Sequence, residues 1–364
     1  METETFMTQE IFIIQIGVGG IGSTLLRQLM QQQDALQQRY GFKLGYLALV
    51  ETSGAVHTGQ MLSPATMQAV LDARQNRVPL AELEGGCSPC AWQTFLPDAP
   101  CIIVDVTAAD GLEESMVAAV NAGHRLVFAN KRPLSKSLDV FKTLTATGAT
   151  RYEATVGAGL PVLDTLQRLL DSGDKMVRIE AAMSGTLGYL CGALEEDIPL
   201  SQAVHTAKSN GWTEPDPRDD LSGSDVARKA LILARTCGMS WEIDDIPAEP
   251  WFPPELADLS VAAFMARLPE LDSTFAERVA QARTRSMALR YVATVEPDGA
   301  SVGLRELPLD HPLAGLRGPD NMIVFTTERY QEPVPRMVIR GPGAGLDVTA
   351  AGVFGDIIAT AREM

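Results

Sequence analysis

The densest group of side chains able to do chemistry lies between Gly211 and Lys229, in the run Gly211-Trp-Thr-Glu214-Pro-Asp216-Pro-Arg-Asp219-Asp220-Leu-Ser-Gly-Ser-Asp225-Val-Ala-Arg228-Lys229. Its two prolines predict an extended loop for the first half. The second half reads as a helix starting near Ser224, with Val226, Ala230, Leu233 and Ala234 on its buried stripe and Gly238 as its stop. Asp225 and Lys229 are four apart and share one face of that helix. An acidic loop with a surface ion pair of little energetic weight is the bland explanation. The crowding of five acids (Glu214, Asp216, Asp219, Asp220 and Asp225) beside a lysine favours a built polar pocket. Such a pocket suits a zwitterionic amino-acid substrate, with carboxylates for its ammonium group and a lysine for its reacting oxygen.

A second candidate is Lys131, in Asn130-Lys131-Arg132-Pro133, directly after the apolar run Arg125–Ala129. Doubly wound sheets bind ligands beyond the carboxyl ends of their strands, which favours a functional lysine there over a solvated basic turn.

These side chains need elements to position them. Ile11-Phe-Ile-Ile-Gln-Ile16 reads as a buried parallel strand, and residues 20–38 as a helix with Ile21, Leu25, Leu26 and Leu29 on one stripe. Between them lies Gly17-Val18-Gly19-Gly20-Ile21-Gly22, a G-x-G-x-x-G loop in the strand-to-helix context that dinucleotide binding requires. Gly17 permits the tight turn, Gly19 lets a pyrophosphate approach the backbone, and Gly22 lets helix and strand close together. A helix N-terminus supplies partial positive charge to the phosphates. A second strand over 44–50 leads to Glu51, an acid placed to grip the adenosine ribose and repel a 2′-phosphate, which leans towards NAD over NADP. Further strands over 101–106 and 125–129, with a helix over 111–122 between them, complete a β-α-β rhythm.

This pattern predicts an α/β protein: a Rossmann-type doubly wound parallel sheet over residues 1–160, completed by about 340–364, with an inserted α+β substrate and dimerisation domain over 161–340. After residue 161 the helical stretches lengthen (162–174, 203–210, 225–236 and about 254–283), and strands return at 291–295, 321–326 and 338–339. The chain has 364 residues, 46% of them apolar and 21% charged, which fits a folded globular protein. A formal charge of −16 argues against nucleic acid and anionic membranes as partners. No run of about 18 apolar residues predicts a membrane span. The acidic first ten residues lack the basic start of a secretory leader, and five cysteines, an odd count, fit reduced thiols in the cytoplasm. Cys87-Ser-Pro-Cys90 has no second pair or nearby histidine to make a metal site and reads as a loop with two free thiols.

Taken in order along the chain, several segments resemble the homoserine dehydrogenase family: the glycine loop, Asp105-Val-Thr107, Ala129-Asn-Lys131, residues 152–161, Met183-Ser-Gly-Thr-Leu-Gly-Tyr189, the 211–229 cluster, His311-Pro-Leu, and Gly341-Pro-Gly-Ala-Gly345. Gly188 stands where that family usually has asparagine. The resemblance implies reversible, NAD(P)H-dependent reduction of L-aspartate 4-semialdehyde to L-homoserine in threonine, methionine and isoleucine biosynthesis. It implies that Lys229 gives the proton to the aldehyde oxygen and that Lys131 is the second active-site lysine. Glu214 and Asp225, with Asp220 close by, would hold the substrate's amino group. The glycine loop, Thr107, Lys131, Gly211 and Gly345 would contact the cofactor. Glu153 and the carbonyls of Val156, Ala158 and Leu160 would form a monovalent cation site, for sodium. The resemblance also implies a homodimer, and a short form without the C-terminal regulatory domain that mediates threonine feedback in many relatives. Two alternatives stay open: another amino-acid oxidoreductase of the aspartate dehydrogenase kind, and a non-catalytic dinucleotide sensor.

Overall fold

The computed structural model describes residues 9–146, 148–330 and 337–364. They form two compact units, one taking in the described residues up to Gly159 together with Gly345–Met364, the other spanning Leu160–Ala344.

The first unit is built on a seven-stranded sheet of β1 (Gln9–Ile16), β2 (Phe42–Glu51), β3 (Gly54–His57), β4 (Gly86–Cys87), β5 (Ile102–Asp105), β6 (Arg125–Phe128) and β7 (Thr150–Arg151), in the order β4-β3-β2-β1-β5-β6-β7. β1, β2, β5, β6 and β7 run parallel, and β1 sits where the order reverses, with β2 on one side and β5 on the other. The helices are α1 (Gly20–Tyr40), α2 (Pro64–Asn76), α3 (Glu113–Asn121), α4 (Leu138–Thr145), α5 (Ala154–Gly157) and a C-terminal helix, Leu346–Ala361. The central strands read as unbroken apolar runs because helices cover both faces. Ile13 and Val104 from the sheet, Leu25 and Leu29 from α1, and Val353 and Ile357 from the C-terminal helix share one buried core. The edge differs from the parallel expectation. A turn at Ser53–Gly54, with Gly54 at φ 137°, reverses the chain after β2, so β3 and β4 add antiparallel strands.

The second unit carries a separate five-stranded antiparallel sheet of β8 (Met176–Ala182), β9 (Met287–Glu296), β10 (Gly299–Pro308), β11 (Asp320–Thr327) and β12 (Met337–Pro342), ordered β10-β9-β8-β11-β12. Its helices are α6 (Val162–Asp171), α7 (Gly185–Glu195), α8 (Leu200–Ser209), α9 (Pro217–Leu221), α10 (Ser224–Thr236), α11 (Val261–Arg267) and α12 (Asp272–Thr284). Helices α7, α10 and α12 pack on β9. Among the described residues, no helix is long and apolar enough to cross a membrane.

Candidate active site

The glycine loop turns between β1 and α1 through Gly17, at φ 99°, a conformation that side chains rarely adopt. Its N–H donates to the Val50 carbonyl at 2.8 Å, tying the loop to the end of β2. A Cβ on Gly22 would lie 2.1 Å from the Gly17 carbonyl oxygen, so only glycine lets α1 start this close to the strand. No heavy atom lies within 4 Å of where a Gly19 Cβ would point, which leaves that backbone open to a ligand. Gln15 holds the turn from below. It is fully buried, and its Nε2 donates to the carbonyls of Gly17 (2.9 Å) and Gly22 (3.1 Å) while its Oε1 accepts from the Tyr46 hydroxyl at 2.9 Å.

A groove of about 1060 Å³ opens at this edge, lined among others by Gly17, Val18, Gly19, Glu51, Trp92 and Thr107. Glu51 ends β2, and its carboxylate accepts from the Ser53 hydroxyl, which itself accepts from the Leu80 N–H at 3.1 Å. Opposite stands a buried network on Asp105, the last residue of β5. Its Oδ1 accepts from the Thr107 N–H (2.9 Å) and hydroxyl (2.7 Å), and its Oδ2 from Asn130 Nδ2 at 2.9 Å. Burial pushes the Asp105 carboxyl above the usual range, and these hydrogen bonds oppose that rise. The volume, the open backbone at Gly19 and the acid at the end of β2 fit a dinucleotide. Gly20, Ile21 and Gly22 start α1 behind the groove lining.

Lys131 follows β6, partly exposed and outside that lining, and its carbonyl accepts from the Ser135 N–H at 3.1 Å. Glu153 is buried just before α5, with its backbone N–H donating to Asp356 Oδ2 at 2.9 Å. Val156 lies in α5, and Ala158 follows at φ 57°, ψ −101°, an unusual backbone for alanine that redirects its carbonyl. Leu160 opens the second unit, and its carbonyl accepts from the Val162 N–H at 2.8 Å. Among the described residues, no three His, Cys, Asp or Glu side chains gather as a metal site. Gly345 caps the C-terminal helix at φ 135°, and Gly211 ends α8 in an exposed left-handed turn at φ 70°.

In the second unit residues 211–216 form a loop, as the prolines imply, and the rest of the run folds as two helices joined by a tight turn. Pro217 takes the first position of α9, where a missing N–H costs nothing, so the expected loop gives way to a short helix from residue 217. Asp216 caps it, accepting from the Arg218 N–H at 3.0 Å, and pairs with the Arg218 guanidinium at 2.6 Å. That guanidinium holds the Asp216 carboxyl below its usual range and also donates to the Leu259 carbonyl at 2.6 Å. These two residues fasten the loop. Gly223, at φ 72°, then turns the chain into α10, with the Tyr291 hydroxyl occupying the space a Cβ would need.

Lys229 sits on α10 with 8% of its surface exposed. Its Nζ donates to the Met183 carbonyl at 2.7 Å and pairs with Asp225 Oδ2 at 3.0 Å, while the Asp225 side chain stays half-exposed. Asp220 Oδ2 accepts from the Glu214 N–H at 2.8 Å and takes a further hydrogen bond from Thr186. Burial raises the Asp220 carboxyl above its ordinary value, and the nearby carboxylates of Glu214 and Asp225 push the same way. The structure therefore sets Asp220 under the influence of Glu214 and Asp225 and pairs Asp225 with the buried Lys229 ammonium, an acidic cluster beside a lysine. Sequence reasoning missed Gln15, Tyr46 and Thr186. The one signal for Gln15 was a polar residue inside an otherwise apolar strand.

Residues 161–358 match the family profile described as homoserine dehydrogenase, and residues 17–153 match that of the homoserine dehydrogenase NAD-binding domain. The chain belongs to the homoserine dehydrogenase family. Members of this family are NAD(P)-dependent oxidoreductases, and the groove described above falls within the matched NAD-binding region. A homoserine dehydrogenase of Emericella nidulans is 36% identical over 97% of this chain and 98% of its own length. A chloroplastic bifunctional aspartokinase/homoserine dehydrogenase of Arabidopsis thaliana is 37% identical over 96% of this chain, which spans 38% of the length of that protein. A hyperthermophilic archaeal homoserine dehydrogenase solved in complex with NADPH shares the fold at a TM-score of 0.75 and 23% identity, covering 98% of this chain and 99% of the other.

Proposed function

We propose that this protein reduces the aldehyde of L-aspartate 4-semialdehyde to the alcohol of L-homoserine, reversibly, as a step of threonine, methionine and isoleucine biosynthesis. The observation that carries this reading is the buried Lys229 ammonium, held by a carbonyl and a carboxylate beside the acids Glu214 and Asp220. When bound in the groove, a nicotinamide nucleotide would supply the hydride. The chain's own residues do the rest. Glu214, Asp220 and Asp225 take the substrate's ammonium group, which relieves the repulsion among three close carboxylates. Lys229 donates a proton to the aldehyde oxygen as negative charge develops there and takes it back in the reverse direction. Its bonds to Met183 and Asp225 fix the ammonium's direction beforehand. Lys131 acts as the second lysine of the reaction.

The finer features are part of the same proposal. Glu51, locked by Ser53, opposes a 2′-phosphate, and no Lys or Arg follows it until Arg74, so NAD is the preferred nucleotide even though the archaeal relative was solved with NADPH. Gly17 to Gly22, Thr107, Lys131, Gly211 and Gly345 contact the nucleotide. Glu153 with the carbonyls of Val156, Ala158 and Leu160 binds sodium, an oxygen-only set suited to a hard ion. The protein works in the cytoplasm as a homodimer, with no requirement for nucleic acid or membrane.

Steady-state rates on L-aspartate 4-semialdehyde with NADH and with NADPH test the reading, alongside oxaloacetate plus ammonium as the competing substrate. Turnover of the semialdehyde with a higher kcat/KM for NADH is expected. Turnover of oxaloacetate alone, or binding without any turnover, overturns it.

A further inference from the structure

Cys87 and Cys90 are brought together at the wall of the nucleotide groove. Cys87 ends the edge strand β4, paired with Ala55 of β3. Cys90 is exposed and lines the groove together with Pro89, Trp92 and Glu51. The two thiols interact through a side-chain hydrogen bond. The Cys90 thiol is held above its ordinary value, by burial first and then by Cys87, but it is exposed, whereas Cys101 and Cys191 are buried and Cys237 is half-buried, with burial pushing all three thiols up to about 12.

We propose that Cys87 and Cys90 are a reversible disulfide site that lowers the affinity of the groove for its nucleotide when oxidised. The inference rests on reading this groove as the nucleotide site. The oxidant is a low-molecular-weight disulfide. One thiolate attacks it, forming a mixed disulfide and releasing one thiol. The second cysteine's sulfur then displaces the remaining thiol and closes the Cys87–Cys90 bond. Two electrons pass from the cysteine pair to the small disulfide, and the two protons leave with the released thiols.

The wall is built to feel this bond. Trp92 is anchored on the far side by its Nε1 donating to the Ser115 hydroxyl at 3.2 Å, so drawing Cys90 onto Cys87 strains the segment between them. On the other side, the Cys87 carbonyl packs against Gly54, where a Cβ would lie 2.5 Å away, and Gly54 is in the turn that carries Ser53 and Glu51. A covalent change at Cys87 therefore acts on the acid that faces the ribose.

The test uses the full chain, equilibrated with oxidised glutathione or with a reducing dithiol. Cleavage at Asp98 separates the peptide carrying Cys87 and Cys90 from Cys101. After oxidation that peptide is expected to lose the mass of two hydrogens and to resist alkylation. The Kd for NADH should weaken by about tenfold, an ordinary coupling between linked sites, and recover on reduction. By reciprocity NADH favours the dithiol and makes the disulfide easier to reduce, raising the reduction potential of the pair by about 30 mV. Cys87→Ser, which leaves every groove-lining residue in place, should bind NADH as the reduced wild type does and ignore oxidised glutathione. Two thiols that stay alkylatable in oxidised glutathione, or a disulfide that forms with no change in Kd, would overturn the proposal. If reduced wild type fails to bind NADH, the reading of the groove falls instead, while the peptide mass still decides whether the thiols pair.

Discussion

Lys229→Met separates catalysis from structure. Methionine keeps most of the length of the lysine stem and removes the ammonium, in a site where Lys229 is 8% exposed. Two losses follow in the folded state. The Met183 carbonyl, on a residue 1% exposed, is left without the Nζ donor, at a cost of about 1–3 kcal/mol. The ion pair to Asp225 also goes, but that carboxylate is 45% exposed and returns to water, so its loss adds about 1 kcal/mol or less. Together these lower the melting temperature by roughly 2–12 °C and leave the protein folded. The catalytic loss is larger. A positioned proton donor contributes about 10²–10⁴-fold to kcat, or about 2.7–5.4 kcal/mol of barrier. Steady-state assays at saturating nucleotide, paired with thermal melts, read both quantities. The expected result is a kcat down by at least about 100-fold, with an unchanged Kd for NADH and a cooperative melt. A variant whose kcat stays within a few-fold of wild type would refute the role of Lys229 and with it the mechanism.

The remaining predictions concern the two binding sites. Gly22→Ala puts a methyl 2.1 Å from the Gly17 carbonyl, and strain of about 1–3 kcal/mol should weaken NADH binding by about 5–150-fold; a wild-type Kd by calorimetry contradicts this. Glu51→Gln removes the charge that faces a 2′-phosphate and should move the kcat/KM ratio towards NADPH by about tenfold, about 1.4 kcal/mol, with an unmoved ratio counting against Glu51 as the selector. Asp220 holds its proton above the ordinary value of 3.8, mainly through burial, and only its ionised form attracts an ammonium group. The KM for the semialdehyde should therefore rise as pH falls through that raised pKa, and Asp220→Asn should lose this acidic edge while keeping a high KM throughout. The same protonation favours the folded state at low pH, and that contribution is lost as pH rises through the raised pKa. An identical acidic edge in wild type and variant would exclude Asp220 as its source.

Much of this was legible before any coordinates. The glycine loop announced itself because its glycines answer backbone demands: φ 99° at Gly17 and no room for a side chain at Gly22. The spacing of Asp225 and Lys229 fixed a shared helix face, and the pair indeed meets at 3.0 Å. What stayed hidden depended on contacts distant in the chain. Met183 holds Lys229 through a backbone carbonyl, which carries no side-chain signature. Gln15 supports the glycine loop from inside a strand whose alternation is masked by burial on both faces. Strand β8 was unread because Arg178 and Glu180 interrupt its apolar pattern, although Glu180 is buried beside His311, with Nε2 and Oε2 3.2 Å apart. The loop over 211–216 was legible from its prolines, but the short helix from Pro217 was missed because proline fits the first turn of a helix as readily as a loop.

The central claim is that Lys229 delivers its proton to the oxygen on the carbon that gains the hydride. A crystal structure of the protein with NAD and L-homoserine tests it most directly. The account predicts the hydroxyl oxygen of homoserine at about 3 Å from Lys229 Nζ, with the amino group on Glu214, Asp220 and Asp225. Homoserine bound with its hydroxyl turned away from Lys229, or bound outside the acidic pocket, would contradict it.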